Sequence, residues 1–571
     1  MQPGMKLLAE IQALAGRFLF VTLVAAGALC GVVAVLFHRY VEVARELLIG
    51  RALEQAGPWR VVLIVVTPTV TFALLAWLIG RFAPRAVGAN LARVRVAYNS
   101  EPGILSTRTV TATFAATPLS LGAGAPLGPE GPIVVVASGL SVAIARLLRL
   151  PKRVIRGMIP IGTAAGISAI FNTPITGVVF ALEEVIGTSQ RGILGGVLVG
   201  SVAAAVVERM LLGGKPLLAA PFSTWSDPRE MIGFAIVGAI AGITSGLAIR
   251  FAHNVKRRWA SVMPSMVLRA ALAGLLIGAA GLLAPEILGV GYDSVSYWLH
   301  GGGSAAGSGS AFAIKLLAFL IAISAGILGG TFAPSLFIGT ALGAAIGHAA
   351  RDLFPGAHID PKAYAILGMG SFFAGLLRSP IAAVLIVVEL TRDYELIVPL
   401  MLGVSLAVAI SRRVSPLSIV EQQMLDEGYV EDHAANDPLA RVRVADAMST
   451  GVVTIAGDAT ATDAVQRVAG LRFLLYPVVR EDGTLLGMVS RGAIHRADDN
   501  AMVQDLMEEP GAVAAPHELV VDVLRRMRLR GVDRCPVVDG TLRVIGFLSP
   551  SDILRTRMDS APDDEPFELL R

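Results

Sequence analysis

From Val110 to Ala145 the chain runs through 36 residues with one ionisable side chain, Glu130. Stretches of this kind recur, and they constrain the fold more than any other feature. Phe18 to Phe37 is 20 residues without a charge, long enough to cross the roughly 30 Å hydrocarbon layer of a bilayer. Lys6 and Arg17 ahead of it imitate a signal peptide. His38, Arg39 and a helical continuation follow in place of a small-residue cleavage site, so the segment reads as a retained membrane helix. Further apolar runs lie at 61–80, 110–145, 157–182, 192–207, 232–249, 268–285, 316–347, 363–388 and 394–411. Several exceed one span and are broken by glycine and proline, which predicts pairs of short or interrupted helices. Charged residues are 16% of the chain, where a globular protein carries about 25%. Together with a mean hydropathy of +0.67, this excludes a cytosolic enzyme, a disordered scaffold and a nucleic-acid reader, in spite of a pI near 9.2. The two cysteines, Cys30 and Cys535, exclude a disulfide framework and a cysteine-rich metal site.

The charge is unevenly spread. Residues 421–571 hold 16 basic and 26 acidic residues, a net −10, and residues 1–420 hold 32 basic and 18 acidic, a net +14. The chain reads as a basic membrane body, 1–420, followed by a soluble acidic part. Leu150–Arg156 and Lys256–Arg258 are basic connectors that the positive-inside rule assigns to the cytoplasmic face. Residues 421–440 read as a polar linker. Two similar α/β blocks follow, 441–498 and 499–560, and then an acidic tail, 561–571. Val444-Ala-Asp-Ala-Met448 and Val503-Gln-Asp-Leu-Met507 open the blocks. Tyr476–Val479 and Cys535–Val538 begin strand pairs completed by Leu486–Ser490 and Ile545–Ser549.

The body repeats itself. Gly162, Pro174, Ile175, Val178 and Glu183 match Gly368, Pro380, Ile381, Val384 and Glu389, each 206 positions later. Gly124, Gly128 and Pro132 match Gly326, Gly330 and Pro334 at an offset of 202. Asn172-Thr-Pro-Ile175 and Arg378-Ser-Pro-Ile381 both read as a hydroxyl N-cap followed by proline at the first helical position. Interrupted apolar segments in corresponding places of two halves point to a transporter fold with its site between the halves.

Glu130 sits in Gly128-Pro-Glu-Gly-Pro132. A carboxylate in a bilayer costs several kcal/mol when charged, so it must be neutral, paired or mobile. The flanking glycines and prolines break the helix and free backbone N–H groups at a new helix start, a ready anion site. A carboxylate beside such a site can fill it when charged and vacate it when protonated. The alternative is a structural cap on a half-helix. Gly330-Thr-Phe-Ala-Pro334 is the uncharged counterpart, with the Thr331 and Phe332 N–H groups aimed at the same anion. Of the pair Glu183-Glu184, Glu183 has a partner in Glu389, as a shared structural residue would, whereas Glu184 aligns with Leu390 and Glu130 with Phe332. The two acids that break the repeat are the functional candidates. For Glu184, a helix-end charge reaching the interface is the competing reading.

Gly128-Pro-Glu-Gly-Pro132, Phe171-Asn-Thr-Pro-Ile-Thr-Gly-Val-Val-Phe-Ala-Leu-Glu-Glu184 and Gly330-Thr-Phe-Ala-Pro334 resemble the CLC chloride channels and chloride/proton antiporters, and the soluble part resembles their paired CBS domains. The resemblance implies a multi-helix α membrane protein of CLC type with inverted repeats and broken helices, carrying a C-terminal α/β CBS pair. It also implies a homodimer with one anion pathway per subunit, a gating glutamate at Glu130, and antiport rather than channel activity because Glu184 occupies the internal proton-transfer position.

Three departures stand against it. The family's Gly-Ser-Gly-Ile-Pro is replaced by Gly88-Ala-Asn-Leu-Ala92, so Ala89 brings no hydroxyl to the central anion. The family's tyrosine is replaced by Ser418, and the arginine of Gly-Arg-Glu-Gly-Pro by Pro129. Each lost hydrogen bond to an anion is worth roughly 1.5–3 kcal/mol, so looser coupling, changed selectivity or admitted water is expected. Two readings of Asn90 stay open, a substitute amide donor and a bond to a neighbouring helix. In Gly546-Phe-Leu-Ser-Pro-Ser-Asp552, Ser549 and Asp552 resemble the phosphate and ribose contacts of a CBS nucleotide site, and the same letters make a helix cap. The first block has Ala493 where the aspartate belongs, so one ATP or AMP site at most is expected.

The expectation is a dimeric inner (plasma) membrane transporter exchanging chloride or a similar monovalent anion for protons, with the CBS pair cytoplasmic and regulatory. Glu130 is the gate and Glu184 the inner relay. Backbone donors near Ala89, Gly131, Thr331 and Phe332 hold the anion, with Ser418 at the inner mouth. No cofactor, metal or nucleic acid is required. The alternatives are a passive voltage- or pH-gated chloride channel, an exchanger for fluoride or nitrate, and a non-conducting membrane-tethered nucleotide sensor. An intramembrane enzyme is disfavoured, since the body shows no metal-ligand cluster or nucleophile–base pair.

Overall fold

The computed structural model describes residues 3–86, 90–99, 105–187, 193–214, 217–218, 220, 229–357, 359–426, 439, 442–471 and 473–560. The chain forms two compact units, one from Met1 to Glu431 and one from Asp432 to Pro566. Among the described residues of the first, ten helices are long and apolar enough to cross a membrane.

The over-long apolar runs are broken pairs, as the glycine and proline pattern predicts. Run 110–145 is divided between Thr107–Gly122 and Glu130–Leu147, and run 316–347 between Ala305–Ala325 and Phe332–Leu353. In the same way Lys152–Phe171 is followed by Pro174–Phe180, and Pro361–Leu377 by Pro380–Thr391. In the last two pairs the first helix ends on a left-handed residue, Asn172 at φ 55° or Arg378 at φ 73°, and the second starts on proline. The repeat read from the sequence is therefore a repeat of helix breaks.

One expectation at those breaks is corrected. Thr173 and Ser379 stand at the N-cap positions, but neither side chain caps its helix. The caps come from the opposite half. Glu183 accepts hydrogen bonds from the N–H groups of Ile381 (3.1 Å) and Ala382 (2.8 Å). Glu389 accepts from those of Ile175 (3.1 Å) and Thr176 (2.7 Å). Proline at the first position has no N–H to offer, so the free donors are at the second and third, where an ionised acceptor outcompetes a hydroxyl. The two halves thus close on each other through exchanged carboxylates.

Residues 421–426, linker by composition, belong to helix Ile419–Asp426, whose Ile419, Val420 and Met424 are buried in the core of the body. In the second unit, strands Leu475–Val479 and Leu485–Ser490 pair antiparallel with Pro477 opposite Met488, and Ile455–Ala456 adds in parallel. Cys535–Val538 and Val544–Leu548 repeat the hairpin with Pro536 opposite Phe547. Each hairpin packs into its own apolar core, one around Tyr476 and Val478, the other around Cys535 and Val537.

Replacing either exchanged carboxylate leaves two helix-start donors without an acceptor in an apolar setting. Glu183→Ala and Glu389→Ala are each expected to lower the stability of the detergent-solubilised protein by about 1–2 kcal/mol. Thermal unfolding checks this, and unequal losses that spare one of the two would contradict the exchange.

Candidate functional site

Gly128 and Gly330, which correspond in the repeat, pair with each other. The Gly128 N–H donates to the Gly330 carbonyl at 3.0 Å and the Gly330 N–H to the Gly128 carbonyl at 2.6 Å. Two residues on, helices Glu130–Leu147 and Phe332–Leu353 begin, with Pro129 and Thr331 as their N-caps. Two positive helix ends, deep in an apolar body, are brought side by side. The approach needs glycine: a Cβ on Gly330 would lie 2.7 Å from the Gly131 nitrogen. First-turn N–H groups such as those of Gly131 and Phe332 have no acceptor within their own helix.

Glu130 is 0% exposed. One carboxylate oxygen accepts from the Tyr292 hydroxyl at 2.7 Å and the other from the Ala333 N–H at 3.3 Å. The side chain from the start of one helix therefore lies on the start of the other, folded against Gly128, where a Cβ would clash with it. A cavity adjoins it, with about 20 Å³ open to the centre of a water-sized sphere. Glu130, Gly131, Thr331, Phe332 and Asn90 all line this cavity, as do Val420 and Gln423. The structure thus brings five of the sequence candidates together. The Phe332 ring is packed between Phe171, Phe180 and Phe373 at centroid distances of 5.0, 5.5 and 4.4 Å, which fixes the helix start that carries its N–H.

Glu184 and Ser418 do not line the cavity. Glu184 sits on a π-turn, Ala181–Ile186, whose extra residue aims neighbouring carboxylates differently. Glu183 goes to the opposite half, while Glu184 turns inward, 3% exposed. One of its oxygens accepts from the Ser379 hydroxyl. The other has no hydrogen-bond partner among the described residues and lies 4.0 Å from Arg95. Ser418 exchanges hydrogen bonds with Glu421, its hydroxyl accepting from the Glu421 N–H at 3.1 Å, and so caps its own helix. Ala89 lies outside the described residues.

With that geometry in view, the comparisons with known proteins are specific. Residues 70–412 match the family described as "Voltage gated chloride channel", and residues 444–500 and 503–559 each match the CBS domain. The chain belongs to the CLC family. It is similar to the H(+)/Cl(-) exchange transporter ClcA of Citrobacter koseri, 30% identical over 395 residues that cover 67% of this chain and 83% of that one. A slow cyanobacterial Cl-/H+ antiporter superposes with a TM-score of 0.67 at 24% identity, covering 72% of this chain and 98% of its own. A eukaryotic CLC transporter superposes at 0.64 and 19% identity, covering 93% and 98%. This CLC protein is accordingly a multi-pass membrane protein with two C-terminal CBS domains.

In the second CBS domain Asp552 is already saturated. One oxygen accepts from the Ser449 hydroxyl (2.5 Å) and Arg555 (2.9 Å), the other from the Ser549 N–H (3.0 Å) and hydroxyl (2.6 Å). Ser549 and Asp552 are thus engaged with each other in a helix-capping arrangement.

Two residues that were not among the sequence candidates bear on Glu130. Tyr292 reaches Glu130 only through the tertiary fold, and nothing local marks it. Lys315 had a signal: it is the only charged side chain from Ala305 to Gly347, the same scarcity that marks Glu130. It is fully buried and donates to the carbonyls of Ile287 (2.7 Å) and Gly289 (2.6 Å), with the Phe337 ring 4.7 Å away. It therefore ties the segment that delivers Tyr292 to the helix that delivers the Ala333 N–H.

Gly330→Ala drives a methyl into backbone that has no room to yield. It is expected to cost about 1–3 kcal/mol of stability, measured by thermal unfolding in detergent, and an unchanged midpoint would contradict the close pairing of the helix starts.

Proposed function

We propose that this CLC protein exchanges chloride or a similar monovalent anion for protons across the inner (plasma) membrane, as a homodimer with its CBS pair in the cytoplasm. The observation that carries the reading is the place of the Glu130 carboxylate. It takes the Ala333 N–H at a helix start, the position that favours an anion, together with the Tyr292 hydroxyl. A charged carboxylate and a free anion compete for the same donors. Once protonated, Glu130 loses most of its claim on them, so proton uptake and anion entry are linked. Glu184 is the second proton station: buried, with one oxygen uncommitted, and set near a hydroxyl and a guanidinium. The ClcA relative, named as an exchange transporter, supports the same reading.

A second reading, a passive channel or an exchanger selective for fluoride or nitrate, draws on one observation. Ser418 caps its own helix and stands off the cavity, so the hydroxyl expected at the inner mouth is not offered there. For the CBS pair we infer a supporting, dimer-forming role in place of adenine-nucleotide binding, because a ribose would have to displace the protein donors that already fill Asp552.

In liposomes with an imposed chloride gradient, the wild type is expected to drive protons uphill. Glu130→Gln should keep the fold and abolish proton movement. Glu184→Val should leave chloride flux measurable while proton flux falls at least about tenfold, a loss of some 1.4 kcal/mol in the proton step. Chloride flux with no proton movement in the wild type would establish the channel reading, and intact proton coupling in Glu184→Val would remove Glu184 from the path.

A further inference from the structure

Beside Glu130 the cavity touches two side-chain amides, Asn90 and Gln423, and their bonds follow from one another. The Asn90 oxygen accepts from the Ala92 N–H at 3.0 Å, because Asn90 stands just ahead of helix Leu91–Asn99, where first-turn donors need an acceptor. That orients the amide. Its nitrogen must then donate, and it does so to the Gln423 oxygen at 2.8 Å. The Gln423 oxygen faces Asn90, so its NH₂ group is turned away from that amide, and the NH₂ group donates to no described residue. Gln423 is half-buried on helix Ile419–Asp426, in the wall of the cavity.

Gln423 stands in the cavity wall with an NH₂ group that donates to no described residue, so it has a donor to offer an acceptor there. The first-turn N–H groups of Gly131 and Phe332 are donors at the same cavity. The space admits about one water-sized body, which suits a small dehydrated anion and not an organic one.

We propose that Gln423 is the side-chain anion ligand of this cavity and that Asn90 is its positioning residue. The pair replaces the hydroxyl chemistry that Ala89 and Ser418 do not provide. Asn90, a ligand candidate in the sequence, acts through Gln423. This inference rests on the anion-transport reading above.

The test is chloride titration calorimetry on the full-length protein in detergent, repeated with fluoride and nitrate. Gln423→Leu removes the donor at nearly constant volume and is expected to weaken binding about 10- to 100-fold. Gln423→Glu keeps the shape and the Asn90 bond but turns the donor into an acceptor, and is expected to abolish binding at neutral pH. It serves as the second variant should the leucine protein not fold. Asn90→Ala should weaken binding less than Gln423→Leu, and the double variant no more than Gln423→Leu alone, since both act through one contact. Wild-type affinity in a folded Gln423→Leu or Gln423→Glu protein overturns the proposal. Additive losses in the double variant overturn the positioning role of Asn90. A wild type that binds none of the three anions overturns the transport reading and this inference with it, which separates the two failures.

Discussion

Two backbone hydrogen bonds between Gly128 and Gly330 set the geometry on which the rest of the body depends. They join corresponding points of the two repeats, so the helix that follows each point starts beside the other. Without the pairing, each start would be an isolated broken helix with orphaned N–H groups in an apolar body, a costly arrangement. With it, the unsatisfied donors converge and become useful. The glycines are required because no side chain fits between the two segments, and a proline four residues on, Pro132 or Pro334, is compatible with a first helical turn that has no internal acceptor.

Carboxylates do two different jobs around this pairing. Glu183 and Glu389 each satisfy the helix start of the opposite half and are committed to it, two N–H donors apiece. Glu130 has as many donors as Glu183, but one is a phenol and its N–H stands off at 3.3 Å, and Glu184 has a single serine hydroxyl. Weak or few bonds are readily left, and that asymmetry supports the transport role we propose for Glu130 and Glu184. Lys315 stabilises the arrangement from behind, through the segment that carries Tyr292 and the helix that carries Ala333.

Much of this was legible in the sequence, for stated reasons. Charge scarcity located the membrane body, glycine and proline located the helix breaks, and the spacing of the repeat alone separated Glu183 from Glu184. What escaped was whatever depends on which side chain meets which across the fold. Thr173 and Ser379 look like caps locally, yet the caps arrive from residues 389 and 183. Ser418 aligns with a tyrosine ligand, but a short side chain at a helix start finds the Glu421 N–H first. Tyr292 lies 162 positions from Glu130 with no motif to announce it. Asn90 was visible as polar, while the direction of its amide follows from Ala92 and Gln423.

The central claim is that the Glu130 carboxylate stands where an anion binds, and it can be tested directly. Crystals of Glu130→Gln grown or soaked in bromide would show the halide by anomalous scattering. The account predicts a peak within hydrogen-bonding distance of the Ala333 N–H and the Tyr292 hydroxyl, with the substituted side chain turned away. Bromide bound elsewhere, with none at the paired helix starts, would contradict it.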